Sequence, residues 1–174
     1  SMAEVVRCAI TDALAVLDPD RVMNEAILPM IEGDKLGDIS KLSERREQLI
    51  YLIGQLRHTN EKARAFVEEV LNKPEAHILQ KGRAILAVSY LLPPDWEKWK
   101  TEFENVALNE DNIIAKKVTA KMKGTYLRMK ALQALAEIGD EQTLKRLREK
   151  RQHWPLDLER AFYSTSEEII WRNN

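Results

Sequence analysis

The sequence predicts an all-α protein built from stacked helix hairpins, on three observations. Apolar residues recur at helical spacing along most of the 174 residues. Leu, Ala, Glu, Lys and Arg, which helices favour, dominate the composition, while Val, Ile, Phe and Tyr form no alternating run that would mark a strand. One segment, Tyr126 to Arg151, reads as helix, tight turn, helix, and weaker copies of it recur upstream.

Taken in order, a first helix spans Ala3 to Leu17 with Val6, Ile10, Ala13, Leu14 and Leu17 facing inward. Asp18-Pro19 supplies an N-cap followed by Pro at the first helical position, where its missing N–H costs nothing. The second helix carries Val22, Met23, Ile27, Met30 and Ile31. Pro29 should kink it and Gly33 should end it. After the polar break Asp34–Ser40, a third helix begins near Ser43 with Leu49, Ile50, Leu52, Ile53 and Leu56. His58-Thr59-Asn60 makes a turn in which Thr59 or Asn60 caps a fourth helix bearing Ala63, Phe66, Val67, Val70 and Leu71. Asn72-Lys73-Pro74 stops that helix. A fifth runs from about Pro74 to Leu92 on Ile78, Leu79, Ile85, Leu86, Val88 and Leu92, and Pro93-Pro94 breaks it.

Asp95 opens a sixth helix with Trp96, Trp99, Phe103, Val106 and Leu108; Asn109 to Asn112 is a loop, and a shorter helix covers Ile113 to Met122. In the Tyr126–Arg151 hairpin, Leu127, Ala131, Leu132, Leu135 and Ile138 form one stripe. Gly139 is placed to end the helix in the left-handed conformation, Asp140 to cap the next, and Leu144 and Leu147 to continue the stripe. So short a connection should hold the two helices antiparallel and in contact. Trp154-Pro155 closes the hairpin. Two short terminal helices are expected, Pro155 to Tyr163 and Ser166 to Trp171, the second beginning at Ser166-Glu167-Glu168 because acids favour a first turn.

The turns align. Leu17-Asp18-Pro19-Asp20, Leu56-Arg57-His58-Thr59, Leu92-Pro93-Pro94-Asp95 and Ile138-Gly139-Asp140-Glu141 occupy one place in a repeating pattern. Ile10, Leu49, Ile85 and Ala131 stand seven residues earlier, and Leu14, Ile53, Ser89 and Leu135 three earlier. The period is about 35 to 46 residues, as in helical repeats. This gives one domain, 1–174, with repeats at roughly 3–33, 43–73, 74–109 and 113–152 and a C-terminal cap at 155–174. Ser89 and the Pro-Pro turn depart from the pattern, and an irregular helical bundle is the alternative reading.

The pattern A-L-x-A-L-A-x-I-G-D-x-x-x-L-x-x-L, from Ala131 to Leu147, resembles HEAT-like repeats, particularly the short kind found in phycobilin lyases and many bacterial adaptor proteins. The likeness is clear over about 25 residues and looser elsewhere. It implies a right-handed α-solenoid of about four antiparallel hairpins plus short terminal helices, with a concave face for a partner.

Composition excludes several classes. At 44% hydrophobic and 32% charged residues, the chain is globular rather than disordered. The one cysteine, Cys8, rules out an internal disulfide framework and suits a reducing, cytoplasmic setting; its default role is small packing residue. No apolar run approaches the ~20 residues of a membrane span, so no membrane is expected as a partner. No signal peptide is visible, and Ser1 before Met2 reads as a cloning remnant, with Met2 the native start or a second added residue.

The net charge of −1 conceals an asymmetry. Four basic residues face nine acids between Ser1 and Glu44, whereas eleven basic residues face four acids between Ile113 and Arg151. Opposite ends should therefore carry opposite charge, which would favour head-to-tail self-association or docking in a larger protein.

Signals for catalysis, cofactors and metals are absent from the sequence. It holds no phosphate-cradling glycine loop, no H-E-x-x-H and no ligand-spaced Cys or His pair. His58, His77 and His153 are far apart in sequence, and each is expected in a turn, a first helical turn or a loop. Trp96 and Trp99 share a helix face: core packing is the plain reading, and an exposed protein-binding anchor flanked by Lys98 and Lys100 the sharper one. A basic patch, Lys116, Lys117, Lys121, Lys123, Arg128 and Lys130, is either a solvated face or a phosphate-binding track for nucleic acid. HEAT-like DNA alkylpurine glycosylases use a tryptophan, an aspartate and an arginine in their groove; that trio has no counterpart here position by position, so the activity is not carried over. The expected function is a non-enzymatic module that binds another protein through its concave face, with nucleic-acid binding through the basic C-terminal half as the alternative.

Overall fold

The computed structural model describes residues 13, 16, 18–33, 36–58, 60–116, 125–151 and 153–173. The first helix expected from the sequence, with Cys8, lies almost wholly outside the described residues. So do Thr59, Lys117, Lys121 and Lys123.

Among the described residues the regular elements are all helical: α1 (Pro19–Val22), a π-helical turn (Met23–Ile27), α2 (Leu28–Glu32), α3 (Glu44–Leu56), α4 (Glu61–Asn72), α5 (Ile78–Leu91), α6 (Trp96–Leu108), α7 (Tyr126–Ile138), α8 (Glu141–Lys150) and α9 (Leu156–Asn173). Side-chain caps explain four of the starts. Asp18, Ser43, Asn60 and Asp140 each accept from the N–H three residues on, through Arg21, Arg46, Ala63 and Thr143. The expected disturbance at Pro29 takes the form of the π turn just before it, which rearranges the ladder where the proline ring would crowd a carbonyl.

Four helices, α3, α5, α7 and α9, form a row in which they stand side by side in chain order. They run parallel: Tyr51 meets Arg83 and Arg57 meets Tyr90 across α3 and α5, and Thr165 Oγ1 and an Arg172 nitrogen donate to the Leu132 and Gly139 carbonyls across α7 and α9. Close approach is possible because small residues sit at the crossings. A Cβ on Gly54 would lie 2.9 Å from the Ala87 backbone, and one on Gly139 would lie 2.8 Å from the Ile169 side chain. α4, α6 and α8 form a second set packed against this row. α4 packs chiefly on α5 and α6 chiefly on α7, whereas α8 reaches both α9 and α6. Between the row and this set lies the core, in which Leu49, Ile53, Ile85, Trp99, Phe103, Ala131, Leu135, Leu147 and Phe162 are all buried. Each large side chain there contributes about 1.5–3 kcal/mol.

Several expectations are corrected. Gly139 has φ −71°, so it is not left-handed; its missing side chain serves the approach to Ile169 and to the Leu135 carbonyl. The left-handed C-caps are instead Arg57, Leu92 and Asn109. Beyond the Gly139-Asp140 turn, α8 has more of its backbone neighbours on α6 and α9 than on α7. α5 begins at Ile78, with His77 rather than Pro74 at its start. Residues 113–115 are not helical, because side chains hold their backbone: Glu102 accepts from the Ile113 N–H, Asn112 from the Ala115 N–H, and Lys81 donates to the Ile114 carbonyl. The C-terminal segment is one helix, not two. Its hydroxyls are absorbed without a break, Thr165 by the Leu132 carbonyl and Ser166 by the Phe162 carbonyl. Leu92, the last residue of the apolar pattern read for the fifth helix, is exposed.

Candidate functional site

The parallel row gathers on its outer face side chains that the sequence disperses. On α5 this face carries Leu79, Arg83, Leu86 and Tyr90, at spacings of four, three and four. Next to it, α3 contributes Glu47 and Tyr51, and α7 contributes Tyr126, Lys130, Gln133 and Glu137. The Arg83 guanidinium lies 5.4 Å from the Tyr51 ring centre, Lys130 Nζ lies 5.9 Å from the Tyr126 ring, and Arg57 stacks 4.9 Å over Tyr90. Arg57 also reaches Glu137 at 3.8 Å. The three tyrosines thus come from three successive helices, each beside a cation. Gly82 makes room for one of them: a Cβ there would lie 2.5 Å from the Tyr126 ring.

This face is partly withdrawn from water, and its ionisable groups register that. Burial raises the Glu47 carboxyl above its usual range, opposed by the charges of Arg83 and His77. It raises the Tyr126 phenol, opposed by Arg83. It lowers the Lys130 ammonium, with the Arg83 charge acting in the same direction. Among the described residues no carboxylate lies within ion-pair distance of Arg83. Charges already part-desolvated lose less hydration when a partner covers them.

The residues singled out from sequence fare differently. Trp99 is fully buried against Phe103, at 6.3 Å between ring centres, so it is a core residue and no anchor. Trp96 is half-buried against the same core with Lys100 5.2 Å from its ring. Lys116 is exposed in the 109–116 loop. Arg128 is held: its Nε donates to the Ala107 carbonyl at 2.8 Å and its guanidinium stacks 5.0 Å from the Trp154 ring. Two residues on, Lys130 points to the outer face of the row, where it donates to Gln133 at 2.9 Å. Arg128 and Lys130 therefore do not form one track.

Three cations of the basic C-terminal segment, Arg146, Lys150 and Arg151, are paired with acids from elsewhere in the chain. Arg146 bridges Glu104 and Glu110, each at 2.6 Å; Lys150 pairs with Glu110 at 2.8 Å, Arg151 with Glu159 at 2.6 Å, and Lys100 with Asp140 at 2.8 Å. Counting charge between Ile113 and Arg151 alone overlooked the acids of α6 that pack against α8. At the acidic end, Asp20 meets His58 at 2.6 Å and Glu32 pairs with Lys62 at 2.7 Å.

A concavity of about 730 Å³ lies between α2, the 36–39 turn and α4, lined by Ile31, Leu36, Arg46, Lys62, Phe66, Glu69 and Lys73. Its cations are engaged: Lys62 with Glu32, Lys73 with Glu69 at 2.5 Å, and Arg46 with the Gly37 carbonyl and the Phe66 ring. Among the described residues no three His, Cys, Asp or Glu side chains converge as a metal site. No described helix is long and apolar enough to cross a membrane.

The tyrosine–arginine face escaped the sequence analysis because Tyr51, Arg83 and Tyr126 lie far apart in the chain. The available signal was the α5 stripe itself, whose outer side carries Arg83 and Tyr90 amid apolar positions.

No family model matches the chain, and neither a curated protein nor a solved structure matches it.

Proposed function

We propose that the chain is a non-enzymatic, HEAT-like solenoid module that binds another protein across the outer face of α3, α5 and α7. The observation that carries this reading is the set Tyr51, Arg83 and Tyr126, one residue from each of three parallel helices, with Lys130 and Tyr90 beside them. Tyr and Arg are the residues that dominate protein-binding energetics, since they offer large, stiff contact area with a polar end. A row of parallel helices, α3, α5, α7 and α9, tied by pairings about one repeat length apart, favours the solenoid reading over an irregular bundle. Arg83, which has no ion-pair partner among the described residues, suits a partner that brings a carboxylate. Arg128, Arg146 and Lys150 are engaged internally and so add little to the nucleic-acid reading, which would rest on Lys116, Lys117, Lys121, Lys123 and Lys130.

The test compares proteins captured by the wild-type chain, by Arg83→Glu, by Tyr126→Ala and by Lys145→Glu, the last an exposed control on α8. A protein held by wild type and control but lost with Arg83→Glu and Tyr126→Ala supports the reading. Capture indifferent to both substitutions removes it. So does binding of DNA or RNA alone with steep salt dependence.

A further inference from the structure

Among the described residues the row of parallel helices ends at α9, which packs on α7 and α8 and leaves its remaining side without a helix against it. Leu156, Arg160, Tyr163, Glu167 and Ile170 recur there at spacings of four, three, four and three, forming one stripe. Its apolar members are unusually exposed: Leu156 65%, Tyr163 57% and Ile170 45%, with Trp171 beside them at 79%. The opposite side of the helix is sealed into the core by Leu158, Phe162 and Ile169. Arg160 and Glu167 lie on the open stripe two turns apart, too far to reach each other along the helix, and neither has an ion-pair partner among the described residues.

We infer that this stripe is a self-complementary interface, by which a second copy of the chain docks antiparallel on α9. The argument is its symmetry. Turn α9 end for end about Tyr163 and lay it on itself: Tyr163 meets Tyr163 of the second copy, Leu156 meets Ile170, and Arg160 falls beside Glu167, each pairing occurring twice. Trp171 then covers the Leu156 end of the other copy. A two-fold contact requires that one patch complement itself, and reversal here matches apolar with apolar and cation with anion. The apolar pairs and Trp171 supply the attraction, and the two charge pairs fix direction and register. A parallel pairing in register would set Arg160 against Arg160 and Glu167 against Glu167. This interface lies apart from the face proposed above, and its test does not depend on that reading.

The experiment is sedimentation of the full chain over a concentration series, with circular dichroism to establish that each variant folds. Wild type should pass from monomer to dimer. Arg160→Glu and Glu167→Arg should each weaken the dimer by about tenfold or more, since each creates two like-charge contacts. The double reversal Arg160→Glu/Glu167→Arg should restore it. Tyr163→Cys in a Cys8→Ser background should form a disulfide-linked dimer under oxidation, because residue 163 stands at the two-fold axis. A wild-type chain that stays monomeric at the highest attainable concentration would overturn the inference. So would assemblies that grow beyond dimers, as head-to-tail stacking gives, or a double reversal that fails to rescue.

Discussion

Arg146 on α8 donates through Nη1 to Glu104 Oε2 on α6 at 2.6 Å, and the carboxylate it meets is almost fully buried. Thr143 Oγ1 donates to the other oxygen of the same carboxylate at 2.6 Å. This pair ties α8 to α6 where hydrophobic contact is thin, since the α8 face bears only Leu144 and Leu147 as buried apolar residues. Arg146→Ala should destabilise the chain by about 3 kcal/mol, because it strands a buried charge. Glu104→Leu/Arg146→Met, which removes both charges and keeps the bulk, should recover most of that loss. Urea unfolding of the three proteins checks both statements; equal midpoints for wild type and Arg146→Ala would contradict them.

Gly54→Ala tests the crossing of α3 and α5. The added methyl would lie 2.9 Å from the Ala87 Cα and 3.1 Å from its Cβ, and backbone cannot rotate away as a side chain can. Overpacking of this kind costs about 1–3 kcal/mol and outweighs the gain in helix propensity from replacing glycine. Thermal unfolding should show a lowered midpoint.

The helical class, most inward stripes and the capping residues were legible because each rests on local chemistry: an apolar period, or a side-chain oxygen three residues ahead of a free N–H. Asn60 and Asp140 cap as expected, and the inward positions Leu49, Ile53, Ala131 and Leu135 are all buried. Where the outcome turned on tertiary partners, local reading misled. Ser166 looks like a helix start until the Phe162 carbonyl takes its hydroxyl, and Gly139 looks like a left-handed cap until Ile169 claims the space. Residues 113–115 read as helix because nothing local reveals that Glu102 and Lys81 will take their backbone groups. The tyrosine–arginine face was hidden for the same reason: it exists only once α3, α5 and α7 lie side by side.

Asp140 couples a helix start to an ion pair. Burial works to raise its pKa, but the Lys100 ammonium and the Thr143 N–H outweigh that and hold it below the ordinary 3.8. Because the folded value is depressed, its contribution is fully present above the ordinary value and is lost as pH falls through the lowered one. Asp140→Ala should cost about 1 kcal/mol for the cap at neutral pH. Asp140→Asn should keep the cap, lose the Lys100 pairing and show less acid sensitivity. Unfolding of the three proteins from neutral pH to below pH 3 distinguishes the two contributions; an Asn variant with the acid profile of wild type would contradict the assignment.

Lys81 gives the opposite pH dependence. Its side chain is fully buried on α5 and donates to the Ile114 carbonyl, and burial lowers its pKa from 10.5 to about 8, with Glu75 the charge that opposes the shift. Below about pH 8 the amine is protonated in both folded and unfolded chains, so the cost of burying its charge is fully present. Between about 8 and 10.5 the unfolded chain binds more protons than the folded one, and stability therefore rises with pH across that interval. The gain is at most about 3 kcal/mol. Lys81→Met keeps the stem, removes the titrating group and leaves the Ile114 carbonyl without its donor. It should flatten the alkaline rise while imposing a pH-independent cost of about 1 kcal/mol. Other lysines and tyrosines titrate in the same range, so the quantity to measure is the difference in unfolding free energy between wild type and variant from pH 7 to 10.5. That difference should move in favour of wild type as pH rises, and a difference constant across the interval would show that folding does not lower the pKa of this amine.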